Sequence, residues 1–141
     1  MQSKNGQFKI SSLNDLAKIR AFLQESAVSL GADSEMAADL TLAANEAITN
    51  IFMHGFQQQT CDIDIQVRFN SPELSILIID SGPPFDPTTV KNPKIDAPLE
   101  KRAPGGLGVL MIREFTNHFS YKRIKEEQNQ LILKIGGTDG N

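Results

Sequence analysis

The amino-acid sequence predicts an α+β chain, a two-layer α/β sandwich with helices on one face of a mixed, mainly antiparallel sheet. Three observations predict it. Two stretches of helical periodicity come first, a meander of alternating segments follows, and one further helix start is inserted among those strands. The regular βαβ alternation of a doubly wound parallel fold is absent. With 141 residues, 40% of them hydrophobic, the chain fits a single domain with a sizeable core, spanning residues 1–141 with its ordered part over about 8–135.

Phe8 and Ile10 alternate with Lys9 and suggest a short first strand. Ser11 and Ser12 before Leu13-Asn14-Asp15 then resemble a helix start with a capping acid in the first turn. Leu16, Ile19, Leu23, Ala27 and Leu30 recur at three and four residues, and Gly31 stands where a left-handed C-terminal cap belongs. Asp33 or Ser34 caps a second helix that runs to His54 and ends at Gly55. Cys61 to Asn70 alternates apolar and polar residues, the pattern of a strand with one face in water. After the turn Asn70-Ser71-Pro72-Glu73 comes an apolar strand, Leu74 to Ile79, suited to the interior of an antiparallel pair.

From Ser81 to Gly106 the periodicity stops, and six of the seven prolines fall there. So long a connection is either a lid over a ligand, placed at about 82–105, or a disordered insertion. Gly105-Gly106-Leu107-Gly108 opens a third helix, Val109 to Asn117, with Leu110, Ile112 and Phe115 toward the core. Phe119 and Tyr121 start another strand, Glu126 to Asn129 reads as a turn, and Leu131, Leu133 and Ile135 alternate in the last strand.

Charge and composition exclude several classes. The net charge of −3 comes with no dense Lys/Arg cluster, so nucleic acid is not expected as a direct partner. No apolar run is long enough to span a bilayer, which argues against a membrane partner. Cys61 is the single cysteine, ruling out an internal disulfide or a cysteine-based zinc site, and it reads as a buried strand residue. With no apolar signal-peptide core near Met1, a cytoplasmic location is expected.

Three features carry chemistry. On a helix with about 100° per residue, Glu46, Asn50 and His54 line one stripe, opposite Leu40, Ala44, Ile48 and Ile51. A carboxylate there can serve as general base, and an amide oxygen is a neutral hard ligand of the kind Mg²⁺ accepts, although a plain solvated helix face has the same spacing. Asp80-Ser81-Gly82 stands where an apolar strand enters the long connection. Its carboxylate can accept a hydrogen bond from an exocyclic amine such as adenine's, and Gly82 permits close approach to a flat ring; a strand-ending turn is the alternative. Gly105, Gly106 and Gly108 at a helix start offer free N–H groups to an anion, or else a hinge.

Together these motifs, in this order and separation, resemble the Bergerat-type ATP-binding fold of the gyrase and histidine-kinase superfamily. Asp80-Ser81-Gly82-Pro83-Pro84-Phe85-Asp86-Pro87 and Gly105-Gly106-Leu107-Gly108-Val109-Leu110-Met111-Ile112-Arg113 are most similar to the bacterial anti-sigma-factor serine/threonine protein kinases. The resemblance covers Phe8 to Ile135. It implies ATP and Mg²⁺ as cofactors, Glu46 as general base, Asn50 as the Mg²⁺ ligand, and Asp80 with Gly82 at the adenine. It further implies Gly105, Gly106, Leu107 and Gly108 at the phosphate side, with His54 near the phosphates or lid, or capping its helix. Pro84 departs from the superfamily, where a second glycine is common, and no lysine or arginine lies within the glycine motif. The partners implied are an antagonist protein and a sigma factor, with a homodimer usual and the first helix, including Arg20 and Gln24, as an interaction face. A non-catalytic ATP-binding partner-switching module is the competing function; retention of Glu46 favours the kinase.

Overall fold

In a computed structural model of the chain, which describes residues 2–89, 112–124 and 127–137, the alternating stretch after Thr60 forms strand β2 (Cys61–Asn70). Cys61, Ile63, Ile65 and Val67 are buried while Asp62 and Asp64 stand in water, so one face meets the helices and the other is uncovered. Strand β3 (Glu73–Asp80) lies at the centre of the sheet, between β2 and β5 (Gln128–Ile135), and β4 (His118–Ile124) pairs with the far edge of β5. Strand β1 (Gln2–Ile10) forms the opposite edge, giving the order β1-β2-β3-β5-β4.

Every pairing among the described residues is antiparallel. Strands β3 and β4 run the same way but are not neighbours, because β5 returns between them and pairs antiparallel with both. The first strand is also longer than Phe8 and Ile10 suggest. Residues 2–7 are mostly polar and carry no apolar alternation, and what makes them a strand is continuous pairing along the length of β2, from Gln2 opposite Phe69 to Ile10 opposite Cys61.

The helical layer follows its capping chemistry. Ser12 and Asp15 form a capping box at a short 3₁₀ turn: Asp15 Oδ2 accepts the Ser11 and Ser12 N–H groups at 2.7 and 3.2 Å, and Ser12 Oγ accepts the Asn14 N–H. Those two backbone donors hold the Asp15 carboxyl below the usual aspartate range. Helix α1 (Leu16–Ser29) then buries Leu16, Ile19, Leu23 and Ala27. It ends as Gly31 predicts, with φ of +110° and a Schellman pair in which the Ala32 N–H reaches the Ala27 carbonyl and the Gly31 N–H the Val28 carbonyl.

Asp33, not Ser34, caps helix α2 (Ser34–Asn50), its Oδ1 accepting the Glu35 and Met36 N–H groups at 2.7 and 3.1 Å. Leu40, Ala44 and Ile48 are fully buried, and burying a side chain the size of Leu40 or Ile48 contributes roughly 1.5–3 kcal/mol. Helix α1 covers β1 and β2, and α2 covers β3 and β5. The two helices are tied by Arg20 to the Asn45 side chain and by Gln24 to the Ser34 carbonyl, so the two residues read as an interaction face also bridge the helices. Of the third helix, residues 112–115 are described as helical, with Ile112 buried and Phe115 packed on the core. Leu110 lies outside the described residues.

Candidate functional site

Asn50 is the last residue of α2 and points away from water, with 2% of its surface exposed. No described residue hydrogen-bonds its amide, and Nδ2 is wholly buried without a partner. An unpaired buried amide costs a fold about 1–3 kcal/mol, so a solvated polar stripe does not describe this position. Glu46, one turn earlier on the same helix, is half-buried.

From Ile51 to Gly55 the helix widens into a π turn, in which the Phe56 N–H reaches the Ile51 carbonyl at 2.9 Å. At this turn the His54 ring lies 6.3 Å from that of Phe85. His54 thus sits in the last turn, beside the start of the long connection.

Asp80 ends β3 with 4% exposure. Its Oδ1 accepts two hydrogen bonds, from the Gly82 N–H at 2.9 Å and from Asn129 Nδ2 at 2.8 Å. Its Oδ2 accepts none from any described residue, which leaves a buried carboxylate with unused acceptor capacity. The carboxylate borders a recess that includes Phe56, Thr60 and Ser81. Concavities on the uncovered face of the sheet, along Gln66 and Leu77, lie on the side opposite α2 and gather no such set of groups.

Within the protein, the ring packed against Gly82 is that of Phe56. A Cβ on Gly82 would lie 2.5 Å from Phe56 Cζ. Gly82→Ala is therefore expected to cost about 1–3 kcal/mol by forcing the ring aside. In a double-mutant cycle read by urea unfolding, the same change should cost little in a Phe56→Ala background; equal costs in the two backgrounds would show that the ring is not the obstacle.

Asn129 escapes the sequence reading. It falls in a stretch with the composition of a turn, yet it is the second residue of β5, 5% exposed and directly opposite Asp80. One signal could have found it: Leu131, Leu133 and Ile135 alternate back to position 129, so a polar residue stands on the buried face. Gly105, Gly106, Leu107 and Gly108, and the lid from residue 90 onward, lie outside the described residues.

Cys61 supplies no nucleophile. Burial first, then the charges of Asp80 and Asp62, push its thiol up to about 11, so it stays protonated at neutral pH. Among the described residues no three His, Cys, Asp or Glu side chains converge as a metal cage, and no helix is long and apolar enough to cross a membrane.

Residues 11–135 match the histidine kinase-like ATPase domain. The chain belongs to that family. The matched span of this histidine kinase-like ATPase domain takes in Glu46, Asn50, His54, Asp80, Gly82 and Asn129. The chain is 36% identical over 95 residues to the serine/threonine-protein kinase BtrW of Bordetella bronchiseptica, covering 67% of this chain and 66% of that protein. It is 31% identical over 78 residues to the serine-protein kinases RsbW of Bacillus mycoides and Bacillus cereus, covering 52% of this chain and 49% of each. The chain thus spans about half to two thirds of the length of these relatives.

Proposed function

We propose that the chain is an ATP-dependent serine/threonine protein kinase that phosphorylates a small antagonist protein and also sequesters a sigma factor, as a cytoplasmic homodimer. The observation that carries this reading is the buried, unpartnered amide of Asn50 one turn from the Glu46 carboxylate. The orphaned atom is the donor Nδ2, which a solvated helix face would leave in water and which an acceptor oxygen of a bound nucleotide would satisfy. The names of the relatives, serine/threonine-protein kinase and serine-protein kinase, support the reaction class.

The residues fit the roles. Asp80 Oδ2 is a buried acceptor for the exocyclic amine of adenine, with Gly82 and Phe56 beside it. Asn50 would hold Mg²⁺ through its amide oxygen. When bound, Mg²⁺ supplies charge neutralisation at the phosphates. Glu46 accepts the proton of the substrate's serine or threonine hydroxyl as its oxygen bonds to the γ-phosphorus; the bond from that phosphorus to the bridging oxygen breaks and ADP leaves. Gly105, Gly106, Leu107 and Gly108 are assigned to the phosphates, with His54 and Phe85 at the root of the lid.

The test is to titrate Mg·ATP by calorimetry and to follow transfer of labelled γ-phosphate to antagonist proteins of the same organism. Glu46→Ala is expected to bind Mg·ATP as wild type does and to transfer phosphate about 10²–10⁴-fold more slowly. Binding with no transfer by wild type would make the chain an ATP-gated binding module, and absence of binding would overturn both readings.

A further inference from the structure

We infer that Asn129 is the positioning residue for Asp80, fixing the plane of its carboxylate so that one oxygen is held toward the nucleobase, and fastening the residues after β3 to the sheet. This rests on the reading of Asp80 as the base-binding group.

The orientation of the Asn129 amide follows from its neighbours. Arg123 Nη1 lies 3.1 Å from one end, and the Tyr121 hydroxyl lies 2.6 Å from the same end. A guanidinium can only donate, so that end is the amide oxygen. The nitrogen is thereby turned to three acceptors: Asp80 Oδ1 at 2.8 Å, the Pro83 carbonyl at 2.9 Å and, more weakly, the Gly82 carbonyl at 3.4 Å. Arg123 and the three acceptors are satisfied by this orientation and opposed by the other, while the Tyr121 hydroxyl, which can donate or accept, suits either.

Two consequences follow. With the Asn129 and Gly82 N–H groups both on one oxygen, Oδ1, any tilt of the Asp80 carboxylate out of its plane weakens both bonds, and the other oxygen, Oδ2, is left for a ligand. Arg123 Nη1 also donates to the Gly82 carbonyl at 2.7 Å, so the Gly82-Pro83 segment is fastened by a side chain from each of the two strands that follow the long connection. The carboxylate and the root of that connection are held by one network, and Asn129 is the member that touches both.

The experiment titrates Mg·ATP and Mg·ITP, which carries a carbonyl in place of the adenine amine, into wild type, Asn129→Ala and a variant combining Tyr121→Phe with Arg123→Gln. One hydrogen bond to a fixed carboxylate predicts that wild type prefers ATP by about 10–100-fold. In Asn129→Ala the preference is expected to fall by about tenfold or more, because the carboxylate is free to turn. A structural role alone would weaken both nucleotides in proportion, so an unchanged ratio in folded Asn129→Ala overturns the inference. Should that variant not fold, Arg123→Gln is combined with Tyr121→Phe, so that Asn129 stays but loses both donors to its oxygen, and an unchanged ratio there also overturns the inference. Hydrogen exchange at the Gly82 amide reads the same arrangement without nucleotide. It should be about tenfold faster in Asn129→Ala, and an unchanged rate counts against the network. If wild type bound no ATP, the proposed function would fail, while the exchange rates would still decide whether Asn129 holds Asp80.

Discussion

Asn50→Leu is expected to leave the fold as stable as wild type, or more stable by about 1 kcal/mol, while lowering phosphate transfer at least 100-fold. The stability half comes from an observation and the transfer half from the proposed role of the amide oxygen. The Asn50 amide is buried with no hydrogen-bond partner among the described residues, so the free protein bears its desolvation and gains nothing in return. A leucine of similar shape removes that cost and packs beside Ile51 and Ala47, which are themselves buried. It also removes the amide oxygen assigned to Mg²⁺. Urea unfolding together with initial transfer rates tests the pair of effects. A stability loss above about 1 kcal/mol would show that the amide is satisfied in the free protein and would remove the main support for a ligand there.

Asp80→Asn should reverse the base preference as well as weaken binding. Oδ1 already accepts the Gly82 and Asn129 N–H groups, so the oxygen of an asparagine at position 80 has to occupy that side. Its nitrogen then stands where Oδ2 was, presenting a donor to the donor amine of adenine. ATP affinity is expected to fall by about 100-fold or more, while ITP, with an acceptor at that position, should bind the variant better than ATP does. Competition calorimetry with the two nucleotides measures this directly. Equal losses for both would mean that the carboxylate does not read the base.

The two predictions differ in how far the sequence alone reaches. Glu46, Asn50 and Asp80 were legible because their motifs are local: four-residue spacing on a helix, and an acid followed by glycine at the end of an apolar strand. That Asn50 is buried and unpaired was not legible. Helical periodicity divides residues between core and solvent, and by that rule a polar residue opposite Leu40 and Ile48 belongs in water. The π turn was hidden for the same reason, since a 100° step assumes the regular helix that Phe56 and Ile51 depart from.

What the sequence determined by itself is the set of elements and most of their ends. The Ser12–Asp15 box, the Asp33 cap, the Gly31 terminus and the alternation of β2 all rest on interactions within a few residues, so they are written in adjacent letters. What only the tertiary structure decided is pairing at long separation. Asp80 and Asn129 lie 49 residues apart, the polar half of β1 becomes a strand only against β2, and β5 pairs antiparallel with both β3 and β4 by returning between them. A polar residue acquires its role from the atoms that reach it across the fold, and no periodicity along the chain encodes which strand will lie beside it.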